Sequence, residues 1–200
     1  MKLKKALFII ILVLIVDQIS KIYIKTSFFY NEEVVVFDWF RIHFIENNGM
    51  AWGAEFGGKA GKLFLTIFRL FAITGIGYWL YTSIKKNAHI TLIIAVSLIF
   101  AGAMGNIIDS VFYGILFDTP GGHNTATLFA NEPYGKLFFG KVVDMLYFPM
   151  WEGDLPSWIP YYGGKPFTFF NAIFNIADTA ISSGVALLII FSKKVFPKDS

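Results

Sequence analysis

Four apolar runs, each close to the length that crosses a bilayer, constrain this chain more than any other feature. About 20 helical residues span roughly 30 Å of hydrocarbon, and residues 6–24, 63–84, 90–108 and 169–191 each meet that demand. With 56% of residues hydrophobic and only 16% charged, the chain has too little polar material to cover a water-soluble surface. The expected fold is a mainly α integral membrane protein with four transmembrane helices, forming one domain over residues 1–200. The first run follows Lys2, Lys4 and Lys5, as the core of a secretory signal does. No small-x-small cleavage site comes after it, and Asp17 to Lys21 continue the segment, so it is expected to stay as an anchor.

Basic residues gather at the cytoplasmic ends of spanning helices. Here they are Lys2, Lys4 and Lys5, then Lys85 and Lys86, then Lys193, Lys194 and Lys198. Both termini are therefore expected inside, with loops 26–61 and 111–168 outside. The pI near 9.0 follows from this topology. Because the lysines form no single stripe, a nucleic-acid partner is not expected. There is no cysteine, and His43, His89 and His123 lie on separate segments without metal-ligand spacing. Neither a disulfide nor a metal site built on cysteine or histidine is expected.

The outer loops carry structure of their own. Val34 to Ile45 is rich in β-branched and aromatic residues and reads as one or two short strands, ended by the turn signal Asn47-Asn48-Gly49. Lys141 to Phe148 is also strand-like, so a small extracytoplasmic sheet is expected. The aromatic run from Trp151 to Phe170 has the composition of a segment lying at the headgroup level before the fourth helix.

Aspartates within such segments need a reason, because a carboxylate near the bilayer centre costs at least about 2.5 kcal/mol. Asp17 and Asp178 lie within the predicted spans, and Asp109 and Asp144 at or beside their ends. At 1.5 Å per residue, Asp17 stands roughly 17 Å up from the inner boundary and Asp178 roughly 13 Å down from the outer one. Asn171, Asn175, Asp178 and Ser182 fall at i, i+4, i+7 and i+11, one stripe of a helix beginning at Phe169. Asn106 and Asp109 are three apart, and Asp17 and Lys21 four apart, within reach of each other on their helices. Inward-facing stripes would gather these groups into one pocket in the outer half of the membrane. Hydrogen bonding between helices explains Asn106, Asn171 and Ser182 without any chemistry. Two facing carboxylates are different, because they cannot both ionise cheaply and so share a proton.

Five short motifs then stand in order: Asp17-Gln18-x-Ser20-Lys21, Asn47-x-Gly49-x-Ala51-Trp52, Gly105-Asn106-x-x-Asp109, Val142-Val143-Asp144 and Phe174-Asn175-x-Ala177-Asp178. In sequence and topological position they resemble the lipoprotein signal peptidases, the type II signal peptidases of bacteria. The resemblance covers nearly the whole chain. It implies an intramembrane aspartic endopeptidase of the inner membrane that cuts prolipoproteins before a diacylglyceryl-modified cysteine. It implies Asp144 and Asp178 as the catalytic pair, and Asp17, Lys21, Asn47, Gly49, Asn106, Asp109 and Asn175 as support. It also implies a short flap around Gly49 to Phe56, no cofactor, membrane lipid as surroundings and a monomer as the working unit.

Two departures from the family stand out. The third motif usually closes with arginine after Asp109, where this chain has Ser110, and the stretch Phe112 to Lys141 is longer than is typical. A small transporter or channel using Asp17, Asp109 and Asp178 is the competing reading. It calls for ionisable groups in both halves of the spans and a repeat between halves, and neither is visible in the sequence. A noncatalytic scaffold does not account for the motif set.

Overall fold

The computed structural model describes residues 2–48 and 58–196. Among the described residues, three helices are long and apolar enough to cross a membrane. α1 (Lys2–Ser27) and α2 (Gly58–Lys85) are continuous. α3 (Ile90–Ile108) runs on through a π turn (Asp109–Tyr113) into the single turn α4 (Gly114–Leu116). α1 turns its polar residues inward: Asp17, Lys21 and Lys25 are buried while Phe8, Ile11, Ile15, Ile19 and Tyr23 are exposed. That inversion suits a hydrocarbon surround, which rewards apolar surface outside and leaves polar groups to pair within the bundle.

α3 is the central helix and touches α1, α2 and α5 (Ile176–Ile190). Close approach of α5 depends on glycine. A Cβ at Gly102 would lie 2.2 Å from the Ala177 carbonyl oxygen, and one at Gly105 would lie 2.5 Å from an Asp17 carboxylate oxygen. Small residues here let the backbones meet, as is usual between membrane helices. α5 passes into the short α6 (Ser192–Val195).

The predicted fourth span differs at its outer end. Helix was expected from Phe169, but α5 starts at Ile176 and is 15 residues long. A strand pairing and a helix cap override the apolar run. Ile173 and Phe174 form strand β6, pairing with β3 (Val142–Tyr147) at Leu146↔Phe174 and Tyr147↔Ile173. Asn175 then caps α5, its side chain accepting from the Asp178 amide in a reciprocal capping box. The expected stripe is therefore broken: Asn171 precedes the helix and is exposed, and Ser182 is exposed as well. Asp178 sits in the first turn of α5, not midway along a longer helix.

The sheet order is β1-β2-β3-β6, each neighbouring pair antiparallel. β1 (Glu33–Phe37) and β2 (Phe40–Asn47) occupy the first predicted strand region. The aromatic run forms a separate hairpin, β4 (Trp151–Asp154) with β5 (Pro166–Phe169), where an interfacial stretch was expected. Its tip exposes Trp158, Tyr161 and Tyr162.

The long stretch from Phe112 to Lys141 is packed structure, not a free insertion. Tyr113, Phe117 and Ala126 are buried with Ile24, Phe44, Val143 and Met145 in one apolar cluster between the end of α1 and the sheet. Gly140 passes so close to the π turn that a Cβ there would lie 1.9 Å from the Asp109 carbonyl oxygen. The stretch thereby presses β3, with Asp144, against the top of α3.

Candidate active site

Five elements bring the polar residues together: α1, the C-terminal end of α3, β2, β3 and the capped start of α5. Asp144 stands on β3 opposite Ile45 of β2. Period-two alternation turns its side chain to the bundle face, where it is 1% exposed. Asn47, at the end of β2, donates to one Asp144 oxygen at 2.6 Å, and Asn175 donates to the other at 2.7 Å. Asp178 accepts from the Asn106 amide at 2.8 Å. The capping box thus does two things: it starts α5, and it aims Asn175 at Asp144 and Asp178 at Asn106. Asn175 also donates to Asn106 at 3.1 Å and to the Val143 carbonyl at 3.2 Å.

Beneath this pair lies a saturated ionic cluster. The Lys21 ammonium has three N–H groups, and it meets Asp17 at 3.0 Å, Asp109 at 2.8 Å and the Asn106 amide oxygen at 2.9 Å. Asp17 also accepts from the Ala177 backbone amide at 2.8 Å, which fixes the first turn of α5 to α1. Asn106 links the two clusters: its oxygen faces Lys21 while its NH₂ donates to Asp178. A lysine on the oxygen polarises the amide and strengthens it as a donor.

Outside the helices, Asp144 has its carboxyl pushed up to about 7, first by burial and then by the neighbouring Asp178 charge. Hydrogen bonds from Asn175 and Asn47 and the charge of Lys21 act in the opposite direction without cancelling the rise. The Asp178 charge is thus one of the two main influences on Asp144, and Asp178 is the more exposed carboxylate. One buried acid beside one partly solvated carboxylate is an arrangement that can both donate and accept a proton near neutrality.

Of the residues expected from sequence, Asp144, Asp178, Asp17, Lys21, Asn47, Asn106, Asp109 and Asn175 converge here. Gly49 and the expected flap lie outside the described residues. Sequence reasoning missed two contributors. Gln18, which received no role within its motif, donates to Asp17 at 3.1 Å and Asp109 at 3.0 Å and accepts from the Tyr113 hydroxyl at 3.1 Å. Arg69 of α2 reaches the Ser110 hydroxyl at 3.4 Å, and its charge acts on Asp178, Asp109 and Asp144. A cation from α2 therefore stands beside the position where the family usually carries arginine. The sequence signal was an arginine within an apolar span, a costly placement.

Comparison with known proteins places the chain in a family. The sequence model of signal peptidase (SPase) II matches residues 9–194. A lipoprotein signal peptidase of Porphyromonas gingivalis is 45% identical over 183 residues, covering 91% of this chain and 80% of that protein. One of Amoebophilus asiaticus is 35% identical over 193 residues, covering 91% and 75%. A solved bacterial membrane enzyme, determined by the in meso method, superposes with a TM-score of 0.63 at 25% identity, covering 98% of this chain and 93% of that one. Nothing among them supports a transporter. With a family match over nearly its whole length and relatives at this identity, the chain belongs to the signal peptidase II family and is a membrane protease.

Proposed function

We propose that Asp144 and Asp178 are the catalytic pair of an intramembrane aspartic endopeptidase that removes signal peptides from diacylglyceryl-modified prolipoproteins. The observation that carries this reading is the opposed environment of the two carboxyls. Asp144 is buried and raised to about 7, while Asp178 is partly solvated and held by a neutral amide. The pair shares a proton near neutrality, and burial favours its residence on Asp144. Asp178 draws a proton from water as the water attacks the scissile carbonyl, and Asp144 hydrogen-bonds the carbonyl oxygen. Collapse of the tetrahedral intermediate returns a proton to the departing amine. Apparent constants belong to the pair as a unit.

Asp17, Lys21, Asn106, Asp109, Asn47 and Asn175 act as positioning residues, through the contacts given above. The chain reads as one domain over residues 1–200, multi-pass in the cytoplasmic membrane of a bacterium, with α5 as a fourth, short span. Both termini face the cytoplasm, as the lysines at the helix ends favour. The site lies toward the outer face, where diacylglyceryl chains can stay among lipid tails while the peptide bond reaches the aspartates. The working unit is a monomer, and no nucleic acid takes part.

The test is cleavage of a diacylglyceryl-modified prolipoprotein by purified protein in detergent. Asp144→Asn and Asp178→Asn should each lower turnover by at least about 10²-fold. Cleavage that persists at the wild-type rate in either variant would sink the assignment.

A further inference from the structure

A cavity of about 790 Å³ opens beside the sheet, and none of the aspartates lines it. Its described lining includes Lys59 and Lys62 from the start of α2, Lys136 and Lys141 from the long outer stretch, and no Asp or Glu. Asn48 and Tyr134 complete its polar wall. Lys141 meets Glu46 at 3.1 Å, but Lys25 pairs with the same carboxylate, so two lysines share one acid. Both ammonium groups also lie over the Tyr134 ring, at 5.1 Å and 5.6 Å from its centroid. Lys62 donates to the Asn48 side chain at 2.8 Å, which fixes its head on the cavity wall.

The level of this cavity in the membrane selects its occupant. With Lys85 at the inner boundary, Lys62 and Lys59 lie roughly 35 and 39 Å up α2. A hydrocarbon core of about 30 Å ends below them, and the headgroup band begins there. One to three turns further inward, α2 exposes Phe64, Phe68 and Phe71. Phe64 and Phe68 stack at 6.4 Å. An anion at the lysines with apolar chains beneath it has the form of a phospholipid.

From this geometry we infer that the cavity binds the phosphate headgroup of an acidic phospholipid, whose acyl chains run along Phe64, Phe68 and Phe71. The inference rests on the outward orientation proposed above. It gives the long stretch from Phe112 to Lys141 a second task, since Tyr134, Lys136 and Lys141 come from it. It also puts a bound lipid beside the machinery, because Asn48 follows Asn47 and Lys141 leads into the strand that carries Asp144.

The full-length protein in phosphatidylcholine nanodiscs, with and without phosphatidylglycerol, provides the test. Native mass spectrometry reads the retained lipid, and cleavage of the lipid-modified substrate is followed in parallel. The wild type should retain phosphatidylglycerol over phosphatidylcholine. Each of Lys59→Gln, Lys62→Gln and Lys136→Gln should lower that preference roughly fivefold, and the three together on the order of 100-fold. The corresponding triple arginine variant should keep the preference, and cleavage in pure phosphatidylcholine should be equal for the wild type and the triple glutamine variant. Unchanged phosphatidylglycerol retention in the triple glutamine variant overturns the site. So does its loss in the arginine variant. Lysine-dependent binding of inorganic phosphate or of an acidic peptide in pure phosphatidylcholine, without phosphatidylglycerol retention, would also overturn it, by giving the cavity to a soluble anion or to protein. Failure of the wild type to cleave in every lipid would count against the peptidase reading and leave lipid retention to be judged by itself.

Discussion

Two pairs of carboxylates occupy neighbouring parts of this bundle and are treated differently. Asp17 and Asp109 share a lysine, which reaches both at 3.0 and 2.8 Å, and Gln18 donates to both as well. Asp144 and Asp178 receive their hydrogen bonds from asparagine amides, and the charge of Asp178 raises Asp144. A buried ammonium in contact with two carboxylates ties them into one ion-pair network. Neutral amides orient a carboxylate while leaving its protonation open. Position near a membrane helix does not distinguish the two pairs; a lysine among the donors of one and asparagine amides at the other does.

That contrast can be broken by experiment, and turnover should show the largest effect. Asp144→Asn or Asp178→Asn should lower cleavage by about 10² to 10⁴-fold with the melting temperature near or above that of the wild type. Asp17→Asn should lower stability more than rate per folded molecule. Equal kinetic loss in all three would erase the distinction.

Lys21→Met should be the most damaging change for folding. It leaves Asp17 and Asp109 buried without their cation, and breaking such a cluster costs about 3–5 kcal/mol. The readout is chemical or thermal unfolding in detergent. A loss below about 1 kcal/mol would mean that the cluster is not the support described above.

The third prediction concerns pH. Folding raises the Asp144 carboxyl from 3.8 to about 7, so the folded state binds that proton more tightly than the unfolded chain. The Asp144 contribution to stability should therefore be complete below about pH 4, decline as pH rises to about 7, and level off beyond it. Asp144→Asn should remove this decline. Turnover should fall about tenfold per pH unit above neutrality as the acid form is lost, and a rate flat to pH 9 would contradict a protonated Asp144.

Smaller effects test the spacing and the α2 cation. Gly102→Ala should destabilise by about 1–3 kcal/mol, because the added methyl meets the Ala177 carbonyl across the α3–α5 contact. Ser110→Ala should cost about 0.5–1.5 kcal/mol, since Ser110 donates to the Asn106 carbonyl at 2.8 Å and accepts from Arg69. If Ser110→Ala instead cuts turnover tenfold, the Arg69 contact acts on the reaction directly.

Much of this could be read from residue order. Long apolar runs, lysines at their ends and strand-like outer segments follow from local composition, because bilayer thickness and side-chain alternation act on consecutive residues. The ion pair of Asp17 with Lys21 was legible for the same reason, being four apart on one helix. Folding in three dimensions decided where α5 begins, since pairing of Ile173 and Phe174 with β3 and the Asn175 cap override an apolar run that continues outward to Phe169. It also decided that Phe112 to Lys141 would pack against the sheet, that Arg69 would meet Ser110, and that Asn175 would hold Asp144. Those contacts join residues 31 to 41 positions apart or close a long loop onto a sheet. Composition and spacing carry local propensities, whereas the charge and burial around Asp144 and Asp178 arise only when α1, α3, the sheet and α5 come together.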